Sequence, residues 1–203
     1  MNHVVVGLTG PTGSGKSTIA ALLQKRGFAV VDADQVARDV MAPGSTVLTR
    51  LQEAFGSDVL RDDGSLNRKQ LAACAFDTPE TAQRLNEITH SAILNEMRRR
   101  LSYLQEQGEK YILLDVPLLF ESGSDQMCHM TAAVLAPEDM RLRRIMQRDG
   151  LTRSEALHRM GVQPPDDFYQ KRADILLLNQ GDTESLEIQV ESLCRQAERR
   201  LMG

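Results

Sequence analysis

Near its beginning the chain reads Val4-Val5-Val6-Gly7-Leu8-Thr9-Gly10-Pro11-Thr12-Gly13-Ser14-Gly15-Lys16-Ser17. The β-branched run at its start predicts a strand that is buried on both faces. The last eight residues match the pattern G-x-x-x-x-G-K-[ST]. A helix is predicted directly afterwards, because apolar residues recur at helical spacing at Ile19, Leu22 and Leu23. A strand before this motif and a helix after it are the context that a phosphate-binding P-loop requires.

The alternative for this motif is a glycine-rich turn that only joins a strand to a helix. The P-loop interpretation is favoured because both flanking elements are predicted. Glycines let backbone N–H groups converge on phosphates, and the N-terminus of the following helix adds positive potential. Lys16 would reach the β- and γ-phosphates, and the Ser17 hydroxyl would coordinate Mg²⁺. The predicted nucleotide-binding residues of the loop are Thr12, Gly13, Ser14, Gly15, Lys16, Ser17 and Thr18.

The other apolar runs predict an α/β fold. Strand, helix and strand within about thirty residues favour a parallel sheet with right-handed crossovers. Further short strands are predicted at residues 28–31, 111–115, 132–135 and 175–178. We therefore expect one P-loop domain over residues 1–203, with a five-stranded parallel sheet flanked by helices. A mostly helical insertion is expected at about 43–108, and a lid segment at about 141–172.

Composition excludes several classes of protein. The 203 residues are 41% hydrophobic and 26% charged, as in globular proteins. The net charge of −4 gives no overall attraction to nucleic acid. No apolar run approaches the roughly 20 residues that cross a bilayer, and no secretion signal is recognised. The three cysteines lie far apart and favour reduced thiols, so we expect a cytoplasmic protein without a membrane or nucleic-acid partner.

Carboxylates follow two of the predicted strands. Asp32 and Asp34 come at the C-terminal end of the second strand, where open α/β sheets bind ligands. One of them would accept a proton from an attacking hydroxyl, or else only cap the helix that follows. On an extended segment the two side chains point to opposite faces, and Asp34 is preferred for the phosphate side. Asp115 ends the third strand, either as a Walker-B carboxylate or as a residue that ties down the next turn.

Arginines and a histidine are further candidates. Arg141, Arg144 and Arg148 are spaced i, i+3, i+7 and share one helical face. They either neutralise phosphate charge from a mobile lid or form a solvated surface. His90 lies near the apolar face of a predicted helix, where it touches a substrate or serves a structural role.

The P-loop alone does not distinguish a kinase from a switch GTPase or an ATP-driven motor. Residues Asn179-Gln180-Gly181-Asp182 do not supply the Asn-Lys-x-Asp loop of a guanine-specific switch. The size, the helical insertion and the arginine segment favour a small kinase that closes over two substrates. The alternatives are a kinase for another nucleotide or hydroxyl acceptor, and an ATP-sensing protein without transfer activity.

Several blocks beyond the P-loop carry a family resemblance. They are Asp32-Ala33-Asp34, Val116-Pro117-Leu118-Leu119-Phe120-Glu121, Arg144-Ile145-Met146-Gln147-Arg148-Asp149, Gln163 and Asn179-Gln180-Gly181. With these blocks in this order, the chain resembles the bacterial dephospho-CoA kinases over nearly its whole length. Two positions depart from the usual family pattern. Pro11 replaces a glycine but leaves the phosphate-facing amides of the loop in place, and Ser91 replaces the proline that usually follows His90.

The resemblance implies transfer of the γ-phosphoryl group of ATP to the ribose 3′-hydroxyl of dephospho-CoA, the last step of coenzyme A synthesis. Asp34 would be the base or orienting carboxylate, while Lys16 and Arg148 would stabilise the transferring group. Ser17 would hold Mg²⁺, with Asp32 or Asp115 acting through water.

The resemblance also implies where the two substrates bind. Arg144, Asn179 and Gly181 would join the loop residues around ATP, with the last two near the adenine. The helical insertion would cover dephospho-CoA, whose contacts would be Asp34, Arg38, His90 and Leu118.

Overall fold

The strands expected from the apolar runs are present in the computed structural model, which describes residues 2–203. Within these residues the strands are β1 (Val4–Thr9), β2 (Ala29–Asp32), β3 (Tyr111–Asp115), β4 (Met130–Leu135) and β5 (Ile175–Leu178). They form one parallel sheet in the order β2-β3-β1-β4-β5. The prediction of a five-stranded parallel sheet flanked by helices is confirmed.

Helices lie in the connections between the strands, and a last helix follows β5. They are α1 (Lys16–Lys25), α2 (Ala33–Val40), α3 (Thr46–Phe55), α4 (Arg68–Ala75), α5 (Pro79–Glu106), α6 (Glu138–Asp149), α7 (Arg153–Gly161), α8 (Asp166–Gln170) and α9 (Thr183–Met202). Their starts follow from local chemistry. The Ser45 hydroxyl accepts from the Leu48 N–H at the start of α3, and Thr152 and Glu155 form a reciprocal capping box on α7.

The chain divides into two compact units. The first comprises the residues up to Val31 together with Tyr103–Gly203. Its core packs β1 and β4 against α1 and α9, and the fully buried members include Val4, Val6, Leu8, Ile19, Leu23, Ala132, Val134, Val190, Leu193 and Ala197. All six residues of the central strand β1 are buried, so the sheet is covered on both faces at this strand, as the valine run predicts.

The second unit is Asp32–Ser102 and has a core of its own. That core is built from helices α3, α4 and α5 and the 3-10 turn Ser57–Val59, and its buried members are Val47, Leu48, Leu51, Val59, Leu71, Ala75 and Ile88. The role of residues 43–108 as a substrate-covering insertion stays a prediction.

The outer edge of β5 is covered by a side chain of α9. Gln189 accepts a hydrogen bond from the Leu178 N–H at 2.7 Å, and its amide donates to the Leu178 carbonyl at 3.1 Å. The N–H and the carbonyl of Leu178 therefore both have a hydrogen-bond partner. Backbone groups on the outer side of an edge strand have no neighbouring strand to supply one.

A histidine is hydrogen-bonded near the beginning of β1. The Val5 N–H donates to Nδ1 of His129 at 2.9 Å, and the ring of His3 meets the His129 ring edge-on at 5.3 Å. Burial lowers the pKa of His129, and the nearby His3 and Arg200 lower it further. The hydrogen bond requires the neutral ring, because only an unprotonated Nδ1 can accept.

Candidate nucleotide-binding site

The loop between β1 and α1 forms the centre of the site. The Ser14 N–H donates to the Pro11 carbonyl at 3.1 Å, which closes a turn within the loop. Gly15 caps the helix with φ = 94°, and Lys16 begins α1. The free N–H groups of a helix N-terminus attract anions, so this junction has the chemistry of a phosphate site.

Two glycines of the loop are required by space as well as by backbone angle. Gly13 has φ = 77°, and a Cβ there would lie 2.8 Å from the carbonyl oxygen of Arg141. A Cβ on Gly15 would overlap the side-chain amide of Asn179. Positive φ disfavours any residue with a Cβ, and the close neighbours exclude one. Arg141 of α6 and Asn179, which follows β5, therefore pack directly against the loop.

Lys16 and Asp115 form an ion pair beside the loop. Their side chains are 19% and 11% exposed. Asp115 ends β3 and is in register with Leu8 of the neighbouring β1, so the two strands end side by side. The pair places a cation where phosphate charge would lie and a carboxylate where metal-bound water could be oriented.

Arg144 and Asn179 also lie on the loop. Arg144 Nη1 donates to the carbonyls of Gly13 at 3.2 Å and Ser14 at 3.3 Å, and its Nη2 donates to Asn179 Oδ1 at 3.2 Å. The buried Asn179 donates to the Ser14 carbonyl at 2.8 Å, and its Oδ1 accepts from the Gly181 N–H at 3.3 Å. The structure therefore brings Arg144 and Asn179 to the loop residues with which the resemblance grouped them, and Gly181 is hydrogen-bonded to Asn179.

Arg148 has different contacts. Its Nε and Nη2 both donate to Asp149 at 2.8 Å, and its side chain is 59% exposed. The hydrogen bonds with Asp149 raise the pKa of Arg148. Asp149 also accepts from Arg159 of α7 at 2.7 Å. The three arginines at i, i+3, i+7 are thus divided, since Arg144 contacts the loop, whereas Arg148 pairs with Asp149, which in turn pairs with Arg159 of α7.

Sequence reasoning missed two contacts of the loop. Arg141 is buried against the loop, although its spacing grouped it with a mobile lid. Gln163, quoted above only as part of the family resemblance, accepts the Thr12 N–H at 2.8 Å. These contacts join residues that are 129 and 151 positions apart, so no local pattern could reveal them.

Asp32 and Asp34 belong to the second unit, and their backbone corrects one expectation. Helix α2 begins at Ala33, so the extended segment that would turn the two side chains to opposite faces is absent from this part of the described chain. Asp32 Oδ1 accepts the N–H groups of Asp34 at 2.8 Å and Gln35 at 3.2 Å, which makes Asp32 the N-cap. Asp34 is exposed in the first helical turn.

The remaining predicted residues lie on three helices and in the segment after β3. Arg38 of α2 donates to Gln35 Oε1 through Nε and Nη2, and half-buried His90 lies on α5 of the same unit. Leu118, in the first unit just after β3, is 55% exposed. Ser17 and Thr18 are exposed on the first turn of α1.

Two kinds of feature are absent from the described residues, 2–203. Within them no group of three or more His, Cys, Asp or Glu side chains is arranged to hold a metal ion. None of the helices in the same range combines the length and the apolar character that crossing a membrane requires.

Comparison with known proteins gives a consistent result. The family model for dephospho-CoA kinase matches residues 4–185. A dephospho-CoA kinase from Corynebacterium glutamicum is 45% identical over 188 residues, which are 93% of this chain and 94% of the relative. A crystal structure of a Thermus thermophilus protein is 34% identical, covers 96% of this chain and 97% of its own, and superposes with a TM-score of 0.80.

A more distant structure supports the fold. Dephospho-CoA kinase from Campylobacter jejuni is 21% identical, with a TM-score of 0.64 and coverage of 97% of this chain and 98% of its own. The family match spans most of the sequence, and the identity to the Corynebacterium glutamicum enzyme extends over nearly the whole of both chains. The chain belongs to the dephospho-CoA kinase family.

Proposed function

We propose that this chain transfers the γ-phosphoryl group of ATP to the ribose 3′-hydroxyl of dephospho-CoA, giving coenzyme A and ADP. Family membership supports the choice of acceptor, since the matching relative is named for this activity. The observation that carries the kinase chemistry is the glycine loop at the β1–α1 junction with Lys16 and Asp115 paired beside it. That arrangement is the one that P-loop enzymes use for phosphoryl transfer.

In this proposal the loop binds the phosphates of ATP. The amides of Gly13–Ser17 and the N-terminus of α1 stabilise the negative charge of the β- and γ-phosphates. Lys16 would exchange its contact with Asp115 for the phosphate oxygens, which are also anionic. Arg144 and Asn179 would shape the side of the loop that faces the nucleotide base.

The transfer itself needs a positioned hydroxyl and little covalent help. The 3′-oxygen bonds to the γ-phosphorus while the bond from that phosphorus to the leaving β-phosphate oxygen breaks. Asp34 would accept the hydroxyl proton, a role that suits an exposed carboxylate at a helix start. Arg148 would leave Asp149 and stabilise charge on the transferring group, which its exposed position permits.

The residues present fit a magnesium ion held mainly by nucleotide. Mg²⁺ prefers oxygen ligands and is usually bound by one or two protein groups plus substrate phosphates. The exposed Ser17 hydroxyl and the Asp115 carboxylate supply such oxygens, and Asp32 is the alternative carboxylate. When bound, the ion would neutralise charge that develops between the β- and γ-phosphates. Ser17 would be its direct protein ligand, and a carboxylate would act through water.

Dephospho-CoA is proposed to contact Asp34, Arg38, His90 and Leu118, as the family resemblance implies. Residues 43–108 would cover this substrate, and residues 141–172 would act as the lid. Exposed Leu118 offers apolar surface for the uncharged part of the substrate, and Arg38 offers charge for its phosphates.

We also propose that the protein is cytoplasmic and has no membrane or nucleic-acid partner. The three cysteines are free thiols, which fits the reducing cytoplasm. The net charge of −4 supports small-molecule substrates over nucleic acid.

A coupled assay of ADP release with ATP, Mg²⁺ and dephospho-CoA tests the proposed function. We expect one coenzyme A formed for each ADP, and no turnover when dephospho-CoA is omitted. Turnover only with a different hydroxyl acceptor would identify another kinase. Nucleotide binding without transfer to any acceptor would identify an ATP-sensing protein.

A further inference from the structure

Arg141 is a buried arginine whose hydrogen bonds are to protein groups. Its side chain is 8% exposed. Nε donates to the Thr12 carbonyl at 3.1 Å, and Nη1 donates to Asp166 Oδ1 at 3.1 Å. The guanidinium therefore joins the phosphate-binding loop to the first residue of α8.

A second hydrogen bond holds the N–H group of Thr12. Gln163 Oε1 accepts the Thr12 N–H at 2.8 Å. Gln163 and Asp166 flank Pro164-Pro165 in the linker from α7 to α8. Both peptide groups of Thr12 are thus bound by one short stretch of chain, directly through Gln163 and indirectly through Arg141.

We propose that Arg141 and Gln163 are positioning residues that fix the Thr12 peptide and so hold Gly13–Ser17 in the shape that binds nucleotide. This inference rests on the proposed function, because it assumes that the loop binds ATP. Thr12 comes directly before Gly13, which lies so close to the Arg141 backbone that a Cβ would not fit. Rotation of the Thr12 peptide would therefore turn the following amides away from the phosphates. Pre-organised donors bind an anion more tightly than donors that must first be ordered.

Charge separates this role from direct phosphate binding. Arg141 is paired with Asp166, so releasing it to a phosphate would leave a carboxylate without its partner. The Arg141 side chain is 8% exposed and that of Asp166 is 44% exposed, and moving a buried guanidinium away from its partners costs more than moving an exposed one. Arg148 offers the contrast, because it is 59% exposed and lies on the same helix. The structure assigns the positioning role to Arg141 and leaves phosphate contact to exposed groups.

The test is ADP affinity, measured by isothermal titration calorimetry on the full-length chain. Gln163→Met removes an uncharged acceptor and Arg141→Met removes the guanidinium. We expect each to weaken ADP binding by roughly tenfold, the effect of about one good hydrogen bond. The KM for dephospho-CoA should stay within about twofold of the wild-type value, within the ordinary spread for a site that does not contact this substrate. Arg143→Gln on the same helix is the matched control, since Arg143 is exposed and pairs with Asp139 of the same helix, and its ADP affinity should equal that of the wild type.

The direction in which Asp166→Asn changes ADP affinity distinguishes positioning from direct phosphate binding. If Arg141 positions the loop, loss of its partner leaves ADP affinity unchanged or weaker. If Arg141 binds phosphate directly, the released guanidinium tightens ADP binding, and that result overturns the inference. Unchanged affinity in Gln163→Met would also overturn it. Thermal unfolding of every variant verifies that it is folded, and Asp166→Asn keeps the test valid should Arg141→Met unfold. Failure of the wild type to bind ADP would instead overturn the proposed function.

Discussion

Lys16, the first residue of α1, forms an ion pair with Asp115, the last residue of β3, a strand that pairs with β1. The pair is largely shielded from solvent, so its charges are screened less than those of a surface pair. It places the amine of the P-loop beside the carboxylate that ends the adjacent strand. The predictions below start from this centre and extend to the elements around it.

Replacing Lys16 with alanine removes the cation that would bind the transferring phosphoryl group. We expect kcat/KM for ATP to fall by at least roughly 100-fold, the usual loss for a group that stabilises transition-state charge. Lys25→Ala is the matched control, because Lys25 is exposed in the last turn of the same helix. Steady-state kinetics of both variants test this prediction, and wild-type kinetics in Lys16→Ala would contradict it.

Asp34→Asn keeps the size of the side chain but removes its ability to take a proton at neutral pH. We expect kcat to fall by about 10²- to 10⁴-fold, the range for loss of a general base. ADP affinity should be nearly unchanged, because the P-loop is intact. Turnover and calorimetry on the same sample separate the two effects, and full activity would remove Asp34 from the mechanism.

Asp32→Ala removes the N-cap of α2. Because Asp32 accepts two backbone N–H groups, its loss should destabilise the protein by about 1 kcal/mol. Asp32→Ser retains a capping oxygen and should recover most of that stability. Urea unfolding of the two variants measures the difference, and equal stability of both would refute the capping role.

Gly15→Ala introduces a Cβ at a positive φ and against the Asn179 amide. Gly27→Ala is a matched control with φ = 86° and no atom within 4 Å of the added Cβ. The control should lose about 1–2 kcal/mol from backbone strain alone and keep its ADP affinity. Gly15→Ala should lose about 1–3 kcal/mol more from overpacking, together with ADP binding. Equal effects of the two substitutions would argue against close packing at Gly15.

The His129 ring predicts a pH dependence of stability. Burial lowers its pKa in the folded protein below the ordinary value of 6.5. The unfolded chain therefore binds more protons in this range, and the folded state loses stability as pH falls from about 6.5 through the lowered pKa. The free energy of unfolding should decrease between about pH 7.5 and about pH 5.

A glutamine at this position isolates the contribution of the ring. His129→Gln can still accept the Val5 N–H but does not titrate, so its stability should change less with pH than that of the wild type. His158→Gln, at an exposed position of α7, should keep the wild-type slope. Identical slopes in all three proteins would refute the assignment to His129.

The sheet could be predicted because its strands have a strong sequence signal. Val4-Val5-Val6 and Tyr111–Asp115 are short apolar runs, and a βαβ unit allows little other than parallel pairing. The short helix α8, beginning at Asp166, was not predicted, since five residues carry no helical period. The helical cap at Asp32 was one of two alternatives, and only the backbone of α2 distinguishes them.

The candidate site was predictable in part. The phosphate motif identified Lys16 and Gly15 from local spacing alone. Arg144 was predicted to lie at the nucleotide, but its hydrogen bonds to the loop carbonyls were not predicted. Arg141 and Arg148 both belong to the i, i+3, i+7 pattern of α6, yet Arg141 donates to the Thr12 carbonyl and Arg148 to the Asp149 carboxylate. That difference depends on which distant segment packs against each turn, and one-dimensional periodicity does not contain it.

The contact between Gln189 and Leu178 has a consequence for how molecules meet at high concentration. A bare edge strand invites a strand from another molecule to add to the sheet, which is how many aggregates begin. Here both main-chain groups of Leu178 are already occupied by a side chain of the same molecule. An incoming strand would first have to displace the side-chain amide of Gln189. Helix α9 therefore hinders the addition of a strand at Leu178, and with it growth into fibrils.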